Sequence, residues 1–133
     1  MFDVLKQYKN TRTFSSTQNN RKFTVTQDSS CITENLIYLI TCRKCHVQYV
    51  GETGRRLRDR LNNHKSTIKR KENTPISIHF NSPNHSILDL EIVGIEKIAN
   101  QLNSINIRKT KEKEWQERLE TTYPKGLNGL KCK

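Results

Sequence analysis

The stretch that decides the fold is LIYLITCRKCHVQYVG, residues 36–51. It begins with Leu36–Ile40, a nearly continuous apolar run of strand length, and ends with a second strand candidate at Val47–Gly51. The turn between them holds two thiols, Cys42 and Cys45. We predict that this turn joins the two strands as an antiparallel hairpin.

Further strands and helices are indicated on both sides of the hairpin. Phe23–Val25 alternates apolar and polar residues, which predicts an edge strand. After Gly54, apolar residues recur every three or four positions, which predicts a helix with Thr53 as its N-cap. The remaining elements are a short helix at 74–80, a half-buried strand at 88–95 and a long helix at 103–120. We therefore expect an α+β fold, a small mixed α/β sandwich whose short, mainly antiparallel sheet of three or four strands is flanked by helices.

The length and composition of the chain bound its organisation. It has 133 residues, about one domain, and only 32% are hydrophobic, so the core is expected to be small. Residues 1–22 are mostly polar and are predicted to be a flexible lead-in or the remnant of a truncated neighbour. The domain itself is placed at residues 23–130, with a tail at 131–133.

The net charge of +11 is unevenly distributed along the chain. Residues 36–71 hold ten of the Lys and Arg residues and only two acidic ones. Such a segment suits a surface that faces phosphates, because neutralising phosphates releases counterions; a solvated basic face is the alternative. No stretch approaches the ~20 apolar residues of a membrane span, and the N-terminus is too polar for a secretory signal. We expect an intracellular protein without a membrane partner.

Four residues have the spacing of a metal site. Cys42 and Cys45 are separated by two residues, and His79 and His85 by five, which suits a tetrahedral Zn²⁺ site. Four protein ligands would make this zinc structural. The alternative is a reduced cysteine pair with unrelated surface histidines. Cys31 or His46 would substitute for a misassigned ligand, and the roles of Cys31 and Cys132 stay open.

The last helix offers one inward-facing carboxylate. Glu114, Glu117 and Glu120 lie away from the stripe formed by Trp115 and Leu119, while Glu112 lies beside it. A carboxylate on a packed face is costly without a partner, and a divalent cation is a suitable one. The alternative for Glu112 is a solvated or salt-bridged helix residue.

These parts appear in the order that marks a known family. Tyr38 and Tyr49 lie on the two hairpin strands, an arginine-rich segment follows at 55–60, and Glu112 and Asn128 come late. The arrangement resembles the GIY-YIG endonuclease domain over residues 23–130. It is more closely similar to the version that ends Penelope-like retrotransposon reverse transcriptases, which carries a cysteine pair between the tyrosine motifs and a later His-Phe-Asn…His-Ser element. One departure is Leu36, where the family name has glycine.

The resemblance implies roles for individual residues. Tyr38 or Tyr49 would position or deprotonate the attacking water, although two aromatics packed in a sheet are the alternative. Arg60 would clamp the phosphate and His64 would take part in proton transfer, although His64 also fits an ordinary core histidine. Glu112 would bind Mg²⁺ or Mn²⁺ and Asn128 would match the closing asparagine. The DNA backbone would be contacted by Arg55, Arg56, Arg58 and Lys65.

The sequence therefore predicts a metal-dependent DNA endonuclease. We expect it to nick one strand for a Penelope-like retroelement, supplying the nick that primes reverse transcription, and to act in the nucleus. DNA is the expected partner, with no small-molecule substrate, and the sequence does not indicate an oligomeric state. The alternative is a non-catalytic, zinc-stabilised nucleic-acid-binding module derived from such a domain.

Overall fold

The computed structural model describes residues 7–9, 11–25, 27 and 29–130. Its elements in chain order are β1 (Thr13–Ser15), β2 (Lys22–Thr24), β3 (Leu36–Cys42), β4 (Gln48–Thr53), α1 (Leu57–Lys69), α2 (Pro75–Phe80), β5 (Leu90–Lys97) and α3 (Ser104–Leu119). The strands form a two-stranded sheet, β1-β2, and a three-stranded sheet in the order β4-β3-β5, and all pairs are antiparallel. The predicted α+β fold is confirmed.

The hairpin of β3 and β4 forms as predicted. Cys42 donates its backbone N–H to the carbonyl of Val47 at 3.0 Å, which closes the turn. The register places Tyr38 opposite Gly51, and Ile40 opposite Tyr49. Directly opposed residues of an antiparallel pair share a face of the sheet, so both tyrosines lie on the same face.

The central strand β3 is apolar throughout because both of its faces are covered. On one face Leu36, Tyr38 and Ile40 pack against α1 and α2. On the other face Ile37 and Leu39 pack in a second cluster with Trp115 and Leu119 of α3. The sheet is thus the middle of three layers, and alternate residues of the single strand β3 contribute to the core on each side.

Two element boundaries differ from the prediction. Helix α1 has Arg56 at its N-cap, without a side-chain cap, while Thr53 ends β4 and its hydroxyl accepts the N–H of Arg55. Leu88 was expected to begin a strand, but it lies in a 3-10 helix, Ile87–Asp89, with 62% of its surface exposed. A capping box between Ser86 and Asp89 stabilises that turn, so β5 begins only at Leu90.

The described residues near the N-terminus pack on the domain. Strand β1 pairs with β2, so the predicted boundary at residue 22 falls inside a hairpin. Phe14 is buried edge-on against Trp115, with ring centroids 5.3 Å apart, and the Ser16 hydroxyl donates to the carbonyl of Leu119. The predicted tail at 131–133, which includes Cys132, lies outside the described residues. Within the described part of the chain, no helix has the length and apolar character needed to span a bilayer.

Candidate active site and metal centre

The Tyr38 hydroxyl is held between two side chains of α1. Arg60 donates its Nε–H to the Tyr38 oxygen at 3.0 Å, and His64 Nε2 lies 2.7 Å from the same oxygen. Arg60 and His64 are one helical turn apart, so the face of α1 that packs on the sheet delivers both. Gly51 is required here, because a Cβ at that position would come within 2.3 Å of the Tyr38 ring. The structure thus brings the first tyrosine, the arginine and the histidine into one hydrogen-bonded cluster.

Burial sets the protonation states of this cluster. Burial, with the charge of Arg60 in addition, lowers the pKa of His64 to about 3, so the imidazole is neutral at neutral pH. Burial also raises the pKa of Tyr38 well above its ordinary value, so its hydroxyl keeps its proton. Since Arg60 donates to the Tyr38 oxygen, the phenolic hydrogen is free to point at His64 Nε2. The resting cluster is a neutral tyrosine and a neutral histidine beside one cation.

Tyr49 lies next to this cluster but is only half-buried. The rings of Tyr38 and Tyr49 both approach the His64 ring edge-on, with centroids 5.8 and 6.0 Å away. Burial raises the pKa of Tyr49, and the charge of Arg60 opposes that shift. The two tyrosines therefore converge on one spot, with Tyr38 inside and Tyr49 toward solvent.

Glu112 reaches the same spot from α3. Its half-buried carboxylate lies near Glu52, which belongs to β4. Burial and the nearby charge of Glu52 raise the pKa of Glu112, whereas Lys109 and Arg60 lower it. The sequence predicted that Glu112 would be the one inward-facing glutamate of this segment, but Glu114 and Glu120 are also half-buried. Glu114 pairs with Lys111 and Glu120 with Lys125, while Glu117 is exposed.

Asn128 acts on the backbone of β4. Its side-chain amide donates to the Val50 carbonyl at 2.8 Å and accepts the Val50 N–H at 2.9 Å, and the Thr121 hydroxyl donates to the same amide oxygen at 2.6 Å. The asparagine thus satisfies both edge-facing groups of Val50, between Tyr49 and Gly51. This geometry fits a residue that positions β4 beside the tyrosines.

The four residues predicted to contact DNA divide into two groups. Arg55 and Arg58 are exposed, and Arg56 is half-buried with an ion pair of 3.0 Å to Asp59. Lys65 has only 5% of its surface exposed. It is one of the buried residues of α1, so the prediction that it lies on an open phosphate-facing surface is wrong.

Arg108 is a residue of this region that the sequence reasoning missed. Its Nε donates to Glu52 Oε1 at 2.8 Å and its Nη1 to Asn35 Oδ1 at 2.5 Å. Together with Arg55 and Arg60 it lines a cleft of about 380 Å³ beside the tyrosines. The sequence did contain one indication of its role: Arg108 lies one helical turn before Glu112, on the same side of α3.

The predicted metal ligands meet at one end of the domain. Cys42 ends β3, Cys45 lies in the hairpin turn, His79 lies on α2, and His85 lies in the loop that follows. Their ligand atoms all lie within 4.8 Å of one another, with Cys45 Sγ 3.5 Å from His79 Nε2. His85 Nδ1 donates to the Pro83 carbonyl at 3.0 Å, which leaves its buried Nε2 without a hydrogen-bond partner. Two thiols and two imidazoles at such spacing fit a tetrahedral ion.

The charges at this centre also suit metal binding. Burial and the neighbouring His85 lower the pKa of His79 to about 4, so its imidazole is neutral. Burial raises the pKa of the Cys45 thiol, but the backbone of Val47 and the nearby charge of His85 lower it, and the net value is lowered. Neither Cys31 nor His46, the predicted substitutes, belongs to the four-residue cluster.

Comparison with known proteins identifies the domain type. The family model described as the GIY-YIG catalytic domain matches residues 34–125, more than half of the chain. Its range runs from just before β3 to just before Asn128 and contains both tyrosines, the α1 pair and Glu112. No curated protein and no solved structure matched the chain.

Proposed function

This chain belongs to the GIY-YIG catalytic domain family, and on that premise we propose that it is a divalent-metal-dependent DNA endonuclease that nicks one strand. Family membership by itself implies a nuclease that acts on DNA. The single observation that supports the activity of this copy is the Tyr38 hydroxyl, held 2.7 Å from His64 Nε2 and 3.0 Å from Arg60 Nε. A tyrosine with both a proton acceptor and a cation is equipped for acid–base chemistry on a phosphodiester.

The proposed reaction moves one proton inward as water attacks phosphorus. The bond from phosphorus to the leaving oxygen of the DNA strand breaks, and that oxygen takes a proton from solvent. The Tyr38 oxygen takes a proton from the attacking water while its own proton passes to His64 Nε2. Concerted transfer is required, because burial raises the pKa of Tyr38 and a free tyrosinate would be costly. The half-exposed Tyr49 is placed to orient the water or a phosphate oxygen. Arg60 stabilises the charge that develops on the phosphate.

Bound DNA would make His64 a better base. The charge of Arg60 is the second cause, after burial, that lowers the pKa of His64. A phosphate at Arg60 neutralises part of that charge, so an imidazolium becomes less costly. The histidine thus stays neutral until the substrate arrives.

Glu112 is the residue that would hold Mg²⁺ or Mn²⁺. A hard cation prefers carboxylate oxygens and keeps several waters, and the half-buried Glu112 carboxylate beside the Arg60 cleft offers such a ligand. The bound ion would neutralise charge at the scissile phosphate. Its presence would also offset the burial that raises the pKa of Glu112.

Cys42, Cys45, His79 and His85 would hold Zn²⁺ in a structural site. The ion would tie the β3–β4 turn to α2 and the loop after it, which are distant in sequence. Four protein ligands leave no position for a reacting water, so its contribution would be to folding.

We place this nuclease in a Penelope-like retroelement, where its nick would prime reverse transcription in the nucleus. The cysteine pair between the tyrosine strands, together with the His79–His85 element, supports this attribution. The grouping of these four side chains in space is what such a zinc site needs.

The first test is cleavage of supercoiled plasmid by the purified protein, with and without Mg²⁺, beside Glu112→Ala and Arg60→Ala. We expect metal-dependent open circles from the wild type and none from either variant, with DNA affinity and folding retained. Intact plasmid that still shifts on a gel would instead identify a zinc-stabilised binding module. Equal loss of binding and cutting in both variants would overturn the roles of Glu112 and Arg60.

A further inference from the structure

We propose that Arg108 is a positioning residue that holds Glu112 in the active site by fastening α3 to the end of β4. The inference rests on the proposed function in one respect, that Glu112 is the metal-binding carboxylate. Arg108 and Glu112 lie one turn apart on α3, and Arg108 binds Glu52, a residue of β4 that also lies near Glu112.

Arg108 attaches α3 to β4, because its Nε binds the Glu52 side chain at 2.8 Å. Adjacent turns of a helix are held together by backbone hydrogen bonds, so fixing α3 at Arg108 also fixes where the next turn, which carries Glu112, lies beside β4. The Glu112 carboxylate therefore depends on Arg108 for its placement.

The guanidinium of Arg108 is also anchored away from β4. Its Nη1 donates to Asn35 Oδ1, and Asn35 is itself buried, with a left-handed backbone (φ 58°). The Asn35 amide donates in turn to the Ile98 carbonyl at 2.9 Å and to Asn100 Oδ1 at 3.0 Å. Arg108 thus has a fixed partner on each side. A planar guanidinium with several donors can bind both partners at once, whereas a lysine ammonium does not reproduce that geometry.

The turn after β4 is shaped to accept this side chain. A Cβ added at Gly54 would lie 3.1 Å from Arg108 Nη2, closer than an ordinary contact. The Arg108 side chain is 11% exposed and lines the cleft that it shares with Arg60. A displaced guanidinium would therefore disturb the geometry next to the phosphate-binding arginine.

The test compares Arg108→Met with Lys113→Met, which removes a charge from an exposed residue of the same helix. Amide hydrogen exchange along α3 reports whether the helix is still fastened to β4. We expect faster exchange in the turn that carries Glu112 in Arg108→Met only, Mn²⁺ binding without DNA weakened several-fold, and kcat reduced roughly 10- to 100-fold, with DNA affinity unchanged. Arg108→Lys should recover part of the loss, and Gly54→Ala should reproduce a milder form of it.

Several results would overturn the proposal. Unchanged exchange in the Glu112 turn of α3 together with unchanged Mn²⁺ binding in Arg108→Met would do so. A loss of DNA affinity equal to the loss of cutting would also do so, because it would make Arg108 a phosphate contact. If Arg108→Met does not fold, Arg108→Lys and Gly54→Ala supply the same comparison. If the wild type does not cut DNA, the proposed function fails, but the exchange and Mn²⁺ measurements still decide the role of Arg108.

A double-mutant cycle separates positioning from a second metal ligand. If Arg108 acts through Glu52, then Arg108→Met with Glu52→Gln should be no worse than Arg108→Met alone. If Glu52 were itself a metal ligand, Glu52→Gln would abolish cutting as completely as Glu112→Ala. That result would overturn the proposal.

Discussion

The two functional clusters of this domain are assembled in different ways. The Tyr38, Arg60 and His64 cluster is built on regular elements, and its members are joined by hydrogen bonds of 2.7 and 3.0 Å. The metal centre is built largely from a turn, a short helix and a loop, and Cys45 is exposed. In the first cluster the side chains hydrogen-bond to one another, whereas in the second the buried His85 Nε2 has no hydrogen-bond partner. The first is therefore preorganised by the fold, while the second offers a set of ligands that an ion would complete.

This difference supports our proposal that the first cluster carries the chemistry and the second contributes to stability. Preorganised donors beside a phosphate reduce the reorganisation that a reaction requires. A ligand set that an ion completes instead converts binding free energy into folding free energy. The two clusters share the strand β3, which carries Tyr38 near its start and Cys42 at its end.

The largest effect should come from removing one hydroxyl from the first cluster. Tyr38→Phe leaves His64 and Arg60 in place but removes the atom that both contact. We expect plasmid nicking to fall by about 100-fold or more, since a proton-transfer group contributes roughly 10²–10⁴. Tyr8→Phe is the matched control, because it removes a hydroxyl that is hydrogen-bonded to the Ser29 carbonyl at 2.7 Å outside the cluster. Equal rates for Tyr38→Phe and the wild type would remove Tyr38 from the mechanism.

The second largest effect should be a loss of stability at the metal centre. Cys45→Ser, or a strong chelator, should lower the free energy of unfolding by about 3 kcal/mol or more, which corresponds to free zinc near 100-fold above its dissociation constant. Denaturant unfolding with and without chelator measures this change. Cys31→Ser is the control, since Cys31 lies outside the ligand group. Identical unfolding curves for Cys45→Ser, Cys31→Ser and the wild type would refute a structural metal.

The pH dependence of stability should isolate His64. Its pKa is lowered to about 3, below the unfolded value near 6.5, so the folded state favours the neutral ring. Stability is then fully present above pH 6.5 and is lost as the pH falls toward 3. Between pH 7 and pH 5 we expect His64 alone to contribute a loss of about 2 kcal/mol, so the loss in His64→Gln should be smaller than in the wild type by about that amount. The rest of the loss, from His79, should be the same in both proteins. Equal slopes for the wild type and His64→Gln would contradict the buried, neutral histidine.

Much of the fold followed from local patterns in the sequence. The apolar run of β3 and its cysteine turn predicted the hairpin, and three- and four-residue spacing predicted the buried stripe of α1. The metal ligands could be grouped because cysteine and histidine spacings carry chemical meaning by themselves. The order of the tyrosines, Arg60, His64 and Glu112 identified the family, which the match over residues 34–125 confirms.

What the sequence could not predict depends on tertiary contacts between polar residues. Nothing in the pattern distinguishes Lys65, which is buried, from the exposed Arg58 on the same helix. Asn128 was assigned by resemblance, and only the edge of β4 reveals that it binds the Val50 backbone. The polar segment before β2 carried too few apolar residues to predict β1, because that strand needs only Phe14 in the core. Arg108 has partners far away in sequence, at Glu52 and Asn35.

The smallest effect should show which of the two clusters faces the DNA. Arg55 is exposed and lines the cleft beside Arg60, whereas Lys44 is exposed in the turn of the metal centre. Each phosphate contact contributes about 0.9 to the slope of log affinity against log salt. Arg55→Gln should therefore lower that slope by about one, and Lys44→Gln should leave it unchanged, as measured by fluorescence anisotropy in Ca²⁺ to avoid cutting. An equal decrease of the slope in Lys44→Gln would extend the DNA interface to the metal centre. The metal centre would then have a role in DNA binding as well as in stability.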